Sequence, residues 1–269
     1  MSTALPRADV GVFGGSGFYR FLDDVTEVAI DTPFGPTAAP VHLGTLGDRT
    51  VAFIPRHGAH HEFPPHKVPY RANVWAMHAL GVTSVFGPCA SGSLQAHIVP
   101  GSFVVPDQLV DRTWGRPDTF FDGEDGRPVH HVAFGDPYDH DLRMIAIDAC
   151  RAEDVEVHVA GTVVTIQGPR FSTRAESRWF GGHGWEVINM TQHPEAVLCR
   201  EAGLRYAAIA LITDFDAGLE GTGIPAVTQE EVFAFFEANV ETVRRVLFRA
   251  LRSDLPTTRI DPGPGFEPT

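Results

Sequence analysis

The stretch Thr165-Ile166-Gln167-Gly168-Pro169-Arg170-Phe171-Ser172-Thr173-Arg174-Ala175-Glu176 decides the fold class of this 269-residue chain. An apolar, β-branched run (residues 161–166) ends at Gly-Pro, and a charged segment that begins with hydroxyl residues follows. This order is typical of a strand that ends and a helix that begins. The turn offers backbone N–H groups and arginines to an anion, and Phe171 offers a ring face to a planar base. An ordinary turn with Arg174 paired to a carboxylate explains the same residues, so this segment alone leaves both interpretations open.

Strand-like and helix-like segments alternate along the rest of the chain. The strand-like segments are residues 10–13, 50–54, 83–86, 102–105, 155–166, 186–188 and 206–213. The helix-like segments are residues 70–80, 138–151, 173–180, 194–203 and 228–251. This alternation predicts an α/β fold, a single domain with a central mixed β-sheet flanked by helices.

Two regions lack this pattern. Residues 106–136 are polar and rich in Gly, Pro and aromatic residues, which predicts a long loop with a functional role or an oligomer contact. Residues 253–269 contain four prolines and two glycines, which predicts a disordered tail. The expected domain therefore covers residues 1–252.

The composition excludes several classes of protein. A formal net charge of −13 opposes binding to DNA or RNA. No run is long enough to span a membrane, and residues 1–8 lack the basic and apolar regions of a signal peptide, so we expect a cytoplasmic protein. Cys89, Cys150 and Cys199 form no CxxC pair, which indicates reduced thiols and argues against a structural zinc site.

The first strand-like segment runs into Gly14-Gly15-Ser16-Gly17. Glycines let the backbone approach an anion closely, and Ser16 adds a hydroxyl group. A dinucleotide-binding motif is disfavoured because Arg20 stands where its third glycine belongs. The motif favours a phosphate or ribose turn, with a plain tight turn as the alternative.

The second strand-like segment is followed by Arg56-His57-Gly58. An arginine at the carboxyl end of a strand is well placed to bind a ligand in an α/β fold. Three further histidines follow within ten residues, but Pro64-Pro65 interrupts them and no helical i,i+4 pair is evident, which disfavours a metal site. Arg-His-Gly after a strand also resembles the start of the histidine phosphatases, in which the histidine becomes phosphorylated.

Asp214 and Asp216 follow the last strand-like segment. If the extended conformation continues, both carboxylates project to one face of the chain. Two carboxylates on one face repel each other and burial adds to this effect, so we expect one of the two to have a raised pKa. Such a pair can supply one proton donor and one acceptor for general acid catalysis. A metal-binding or helix-capping pair is the alternative.

Together these segments resemble the trimeric purine nucleoside phosphorylase superfamily, and most closely its 5′-methylthioadenosine phosphorylase branch. The matching motifs occur in the order of the family and cover nearly the whole chain apart from the tail. They are Gly14-Gly15-Ser16-Gly17, Asp31-Thr32-Pro33-Phe34-Gly35, Arg56-His57-Gly58, Ala90-Ser91-Gly92-Ser93-Leu94, Asp111-Arg112-Thr113, residues 168–176, Asn189-Met190-Thr191 with Pro194-Glu195, and residues 213–216.

The resemblance implies a role for each matching residue. The implied phosphate site consists of Ser16, Arg56, His57, Ala90 and Thr191. The implied purine and ribose site consists of Cys89, Phe171, Ser172, Met190, Asp214 and Asp216. Cys89 replaces a hydroxyl residue of the family. Phe171 would stack on the purine, Asp214 would protonate N7, and Asp216 would accept from the 6-amino group.

The resemblance also implies a pocket for the 5′-substituent. Val232 takes the position at which phosphorylases that accept a 5′-hydroxyl place a histidine, so the pocket favours a thioether or deoxy group. His131 matches a residue that the neighbouring subunit of a homotrimer supplies. Gln229 stands at a usually apolar position, and Gln192-His193 also departs from close relatives, which leaves the 5′-substituent open.

The implied reaction is phosphorolysis of 5′-methylthioadenosine to adenine and 5-methylthioribose 1-phosphate, with phosphate as co-substrate and no metal or organic cofactor. Protonation of N7 makes the purine a better leaving group, and the phosphate dianion stabilises the oxocarbenium-like sugar before it attacks C1′. The alternatives are a 5′-deoxy- or 5′-halo-adenosine phosphorylase and a 6-oxopurine phosphorylase, which Asp216 and Val232 disfavour. More distant alternatives are a His57-dependent phosphatase and a non-catalytic nucleoside-binding module.

Overall fold

The computed structural model describes residues 5–15, 18, 21–124, 126–218, 223 and 225–263. The strands in these residues are β1 Val10–Gly14, β2 Thr26–Val28, β3 Val41–Leu46, β4 Arg49–Pro55, β5 Ser84–Ser93, β6 Phe103–Val104, β7 Gln108–Arg112, β8 Val157–His158, β9 Thr162–Ile166, β10 Val187–Asn189 and β11 Arg205–Asp214. The α-helices are α1 Tyr70–Ala79, α2 His140–Ala152, α3 Arg174–Gly182, α4 Gln192–Glu201 and α5 Gln229–Arg252.

The described strands form one mixed sheet in which the long strand β5 is central. On one side, β5 pairs in parallel with β11 along nearly its whole length. On the other side, the start of β5 pairs in parallel with β1 and its end pairs antiparallel with β10. The path along the sheet is β2-β3-β4-β1-β5-β10-β9-β7, while β11 continues through β6 to β8. Because β1, β4, β11 and the start of β5 are parallel, their carboxyl ends meet at one edge.

Helices cover both faces of the sheet. On one face, α1 and α4 bury residues such as Met77 and Leu198 against the sheet residue Phe13. On the other face, α2 and α5 bury residues such as Leu142 and Leu247. The burial of apolar surface on both faces stabilises this layered arrangement. The predicted α/β fold with a central mixed sheet and flanking helices is confirmed.

The helix that follows the opening stretch begins where the sequence predicts. Thr173 caps α3, and the Thr173 hydroxyl and the Glu176 carboxylate each accept a hydrogen bond from the other residue's backbone N–H, which is a capping box. Thr228 and Glu231 form the same arrangement at the start of α5. Such caps satisfy N–H groups that have no partner within the helix.

Some local predictions are wrong. The sequence pattern missed β2 and β3, and it missed β7 within the stretch expected to be a loop. The single strand expected over residues 155–166 is two strands, β8 and β9, which pair with different neighbours. Both ends of β7 are exposed, and its residues do not alternate regularly between polar and apolar. The sequence therefore shows no alternation that would indicate a strand there.

The segment after α5 is packed, so for residues 253–263 the prediction of disorder is wrong. Leu255 is buried, and the backbone N–H of Ile260 donates to the carbonyl oxygen of Gly203 at 3.1 Å. A Cβ atom on Gly203 would lie only 2.5 Å from the carbonyl oxygen of Ile260, so the glycine makes this close approach possible. Residues 264–269 lie outside the described residues.

Candidate active site

A cavity of about 290 Å³ opens at the edge of the sheet where the parallel strands end. Ligands of α/β proteins commonly bind at this edge. Most of the residues proposed from the sequence line the cavity. They are Arg56, His57, Cys89, Ala90, Phe171, Met190, Thr191, Asp214, Asp216, Gln229 and Val232.

Arg56 lies fully buried at one end of the cavity. Its Nε and Nη2 atoms donate to the two carboxylate oxygens of Glu195, each at 2.7 Å, and its Nη1 donates to the carbonyl oxygen of Pro88 at 2.9 Å. Burial alone would lower the pKa of Arg56, but the Glu195 carboxylate outweighs burial and holds that pKa above its ordinary value. Arg56 therefore remains a fixed cation at the cavity wall.

His57 lies beside Arg56 and is also buried. Its Nδ1 is 2.9 Å from the carbonyl oxygen of Phe63, and its ring stacks on the ring of His61 with centroids 4.5 Å apart. Burial lowers the pKa of His57 to about 3, and the neighbouring Arg56 charge acts in the same direction. The imidazole is therefore neutral at physiological pH.

Glu195 belongs to a buried polar network that the sequence reasoning did not identify. Tyr206 donates its hydroxyl to Glu195 at 2.7 Å, and Tyr138 donates to the Gln192 carbonyl oxygen at 3.1 Å. The Gln192 amide in turn donates to the Cys89 sulfur at 3.5 Å. Gln192 thus contacts Cys89, a residue of the cavity wall, from the protein interior.

At the other end of the cavity, Asp214 and Asp216 lie side by side. The Thr213 hydroxyl and the Asp216 backbone N–H donate to the two oxygens of Asp214, at 2.6 and 2.7 Å. Among the described residues, the buried Oδ2 atom of Asp216 has no hydrogen-bond partner. Burial raises the pKa of both carboxyls, whereas the sequence predicted a raised pKa for one of them.

The two carboxyls are not brought together by a continued strand, contrary to what the sequence predicted. β11 ends at Asp214, and Asp216 has a left-handed backbone with φ of 49°, so the extended conformation does not continue through both residues. The turn, rather than strand alternation, brings both carboxyls to the cavity. A Cβ atom on Gly92 would lie 2.9 Å from Asp214 Oδ1, so the glycine allows β5 to pass close behind the pair.

The third part of the cavity lies between Val232 and the residues after β4. Phe233 and His61 line it together with Val232, and the rings of Phe233 and His61 make an edge contact with centroids 5.2 Å apart. Gln229, at the first turn of α5, also lines the cavity and is exposed. His193 does not line it, and its Nε2 lies 3.5 Å from one carboxylate oxygen each of Asp111 and Asp118.

Four predicted features fall elsewhere. Ser16 lies outside the described residues. Ser172 is not part of the lining, although its hydroxyl oxygen is buried. His131 is exposed and does not line this chain's cavity. Arg170 of the opening turn does not line the cavity, because it pairs with Glu176 at 2.7 Å on the surface. The anion site suggested for this turn is therefore not part of the cavity.

Arg116 is a further residue that the sequence reasoning missed. It is almost fully buried and donates to the carbonyl oxygens of Gln167 at 2.8 Å and Met190 at 3.0 Å. It also donates to the carbonyl oxygens of Ile166 and His193. One side chain thus joins the ends of β9 and β10, from which the Phe171 turn and Met190 extend. No spacing in the sequence signals such contacts.

Replacing Arg116 with Met is expected to lower the free energy of unfolding by about 2–4 kcal/mol, because several buried carbonyls lose a charged donor. We also expect a higher KM for the substrate that binds this cavity than in the unmodified protein. Denaturant unfolding and initial rates measure the two effects. Arg116→Lys, which keeps the charge and some donors, should fall between the Met variant and the unmodified protein; a Met variant with unchanged stability contradicts this role.

Within the described ranges, no group of three or more His, Cys, Asp or Glu side chains is arranged to hold a metal ion. The described helices include none with the length and apolar character needed to cross a membrane. All three cysteines are unpaired and buried, and burial raises the pKa of Cys89.

A cavity that joins a buried arginine, a neutral histidine and a carboxyl pair at a sheet edge defines a small-molecule enzyme site. The family model described as the phosphorylase superfamily matches residues 9–252. The chain therefore belongs to the phosphorylase superfamily, which confirms the resemblance seen in the sequence motifs.

Curated relatives match over nearly the full chain. The S-methyl-5′-thioadenosine phosphorylase of Mycolicibacterium smegmatis is 55% identical over 246 residues, which cover 91% of this chain and 90% of the relative. A purine nucleoside phosphorylase of Streptomyces coelicolor is 51% identical over 251 residues, covering 91% and 89%.

Solved structures agree with these relatives. Methylthioadenosine phosphorylase from Schistosoma mansoni in complex with adenine superposes with a TM-score of 0.86 at 39% identity, covering 91% of both chains. A mutant of the adenosine/methylthioadenosine phosphorylase from the same organism, in complex with methylthioadenosine, gives a TM-score of 0.85 at 38% identity, again over 91% of each chain.

Proposed function

We propose that the protein is a pentosyltransferase that cleaves 5′-methylthioadenosine, or a close 5′-deoxy-5′-substituted adenosine, with phosphate. The products are adenine and 5-methylthioribose 1-phosphate, which places the enzyme in purine and methionine salvage. The observation that carries this proposal is the cavity with Arg56 and His57 at one end and the Asp214–Asp216 pair at the other. Relatives and solved structures with this activity in their names support it.

The phosphate is proposed to bind beside Arg56, with His57, Ala90, Thr191 and the undescribed Ser16 around it. Arg56 supplies the fixed positive charge, and Thr191 follows β10 at the same wall. Bound there, the dianion stabilises the oxocarbenium-like sugar and is held ready to attack C1′. No organic cofactor enters this reaction, and phosphate is a co-substrate.

The purine is proposed to lie between Phe171 and the aspartate pair, with Met190 against the ribose and with Cys89 and Ser172 nearby. Asp214, whose pKa is raised by burial, is the proposed donor of a proton to N7. Asp216 is the proposed acceptor for the 6-amino group of adenine, because its buried Oδ2 atom has no hydrogen-bond partner among the described residues.

Replacing Asp216 with Asn is expected to shift the preferred base from a 6-aminopurine to a 6-oxopurine, because the amide can donate to O6. The ratio of kcat/KM for adenosine-type over inosine-type substrates should fall by about 100-fold. The basic limb of the kcat profile should also move to lower pH, because the charge of Asp216 contributes to the raised pKa of Asp214. An unchanged base preference contradicts the role of Asp216.

The 5′-substituent is proposed to lie against Val232, Phe233 and His61, with Gln229 at the mouth. The apolar Val232 gives a 5′-hydroxyl no hydrogen-bond partner at that position and so favours a thioether. His131 is proposed to close this pocket from a neighbouring subunit, because it is exposed and lies outside the lining in its own chain. This arrangement requires an oligomer, which we propose is a homotrimer, and we place the enzyme in the cytoplasm.

The proposal is tested by following purine release from 5′-methylthioadenosine, 5′-deoxyadenosine, adenosine and inosine, each with and without phosphate. We expect phosphate-dependent release of adenine from the first two and little release from inosine. Strong cleavage of inosine contradicts the assignment of Asp216 and Val232. Hydrolysis of phosphate esters that requires His57 favours the phosphatase alternative, and binding without turnover favours a nucleoside-binding module.

A further inference from the structure

The hydrogen bond of His57 fixes which of its ring nitrogens carries a proton. Nδ1 lies 2.9 Å from the carbonyl oxygen of Phe63, and a carbonyl oxygen can only accept. Nδ1 is therefore the protonated nitrogen of the neutral ring. Nε2 has no hydrogen-bond partner among the described residues, and the ring lines the cavity.

The ring is held in its neutral form by its surroundings. His57 is only 3% exposed, the Arg56 guanidinium lies beside it in the cavity wall, and His61 covers one ring face. Burial and the Arg56 charge lower the pKa of His57 to about 3, although the hydrogen bond to Phe63 opposes them. Nε2 consequently offers a lone pair to the ligand and no proton.

A lone pair at this position distinguishes oxyanions that otherwise share shape and charge. The hydrogen phosphate dianion is tetrahedral and carries one O–H group, whereas the sulfate dianion is tetrahedral and carries none. Arg56 attracts both anions. An acceptor beside Arg56 can hydrogen-bond only to the anion that brings a proton.

We propose that His57 Nε2 accepts the hydrogen bond of the phosphate O–H group and thereby selects hydrogen phosphate over sulfate. This inference rests on the proposed function, because it assigns the ionic form of the co-substrate at the proposed phosphate site. The remaining three oxygens carry the negative charge toward Arg56, Thr191 and C1′. His57 therefore orients the nucleophile as well as choosing it.

The selection arises because sulfate would place an oxygen lone pair against the Nε2 lone pair. Sites built to hydrogen-bond a substrate hydroxyl reject analogues that lack it, since the buried partner is left unpaired. We expect sulfate to bind at least about 30-fold more weakly than phosphate. Arsenate, which carries an O–H group at the same pH, should bind like phosphate. Monofluorophosphate, a dianion without an O–H group, should bind like sulfate.

Titration calorimetry without nucleoside tests these four anions directly. At about pH 7.5, the hydrogen phosphate dianion is the main form of phosphate in solution. Repeating the phosphate titration in buffers of different ionisation enthalpy measures proton exchange. We expect no net proton uptake, because Nε2 accepts a hydrogen bond from a proton that the ligand keeps. Sulfate affinity close to phosphate affinity, or uptake of close to one proton per bound phosphate, overturns the inference.

His57→Gln provides the matching variant, because its amide can rotate to present either an N–H group or an oxygen. The ratio of phosphate to sulfate affinity should fall toward one in this variant. His60→Gln, at an exposed position outside the lining, should keep the wild-type ratio. If His57→Gln does not fold, the four-anion comparison on the unmodified protein still decides the question.

The outcomes separate this inference from the proposed function. Equal binding of phosphate and sulfate contradicts only the role of Nε2. Failure of the unmodified protein to bind any of the four anions contradicts the phosphate site itself.

Discussion

Replacement of Asp214 with Asn is expected to lower kcat for 5′-methylthioadenosine by about 10²–10⁴-fold, the usual contribution of a general acid. Asn keeps the shape of the side chain. Its amide oxygen can accept from the Asp216 backbone N–H and its amide nitrogen can donate to the Thr213 hydroxyl oxygen, the two groups that donate to Asp214 in the unmodified protein. What it lacks is the proton for N7. Steady-state rates at saturating phosphate measure the effect.

A substrate that needs no acid separates this role from a structural one. A nucleoside with a good leaving group that departs without protonation should lose much less rate in Asp214→Asn than 5′-methylthioadenosine does. Thermal unfolding should stay close to that of the unmodified protein, because Asp214 is only partly buried and its neighbours keep a partner. Equal rate losses on both substrates, or near-normal turnover, contradict the assignment of Asp214 as the acid.

Replacement of Glu195 with Ala is expected to lower the free energy of unfolding by about 3–5 kcal/mol. Arg56 has no exposed surface, and Glu195 accepts from two of its nitrogens and from the Tyr206 hydroxyl. Without Glu195, a buried cation loses its counter-charge. Denaturant unfolding measures the loss, and the KM for phosphate should rise because Arg56 loses its fixed position.

Two controls define this effect. Glu237→Ala, on the exposed face of α5, should change the free energy of unfolding by less than about 0.5 kcal/mol. Glu195→Gln keeps an acceptor for Arg56 and should cost less than Glu195→Ala. If Glu195→Ala unfolds like the exposed control, the buried ion pair does not hold Arg56 in place.

Much of the fold could be predicted because its elements follow regular patterns. Buried parallel strands such as β4 and β11 are continuous apolar runs, and α3 and α5 are each preceded by a capping threonine with a glutamate three residues later. The strands β2 and β7 carry no such signal, because their side chains are largely exposed and polar. Their pairing depends on partners distant in the sequence.

The candidate site likewise contains residues that the sequence predicts and residues that it does not. Arg56 and the aspartate pair could be predicted because they lie at the ends of strands, where α/β proteins bind ligands. Glu195 could not be assigned a role, because its partner Arg56 lies 139 residues away and no local spacing relates them. Arg116 was missed for the same reason. The opening turn left an anion site and an ordinary turn both open, and the structure favours the ordinary turn because a local carboxylate, Glu176, neutralises Arg170.

The central claim is that phosphate, rather than water, is the nucleophile that displaces the purine from C1′ of the sugar. Phosphorus-31 NMR of the unmodified protein with 5′-methylthioadenosine and phosphate tests it most directly. We predict one equivalent of 5-methylthioribose 1-phosphate for each adenine released, and no adenine release when phosphate is omitted. Release of adenine with a free sugar, at a rate independent of phosphate, would contradict the proposed role of the Arg56–His57 end of the cavity.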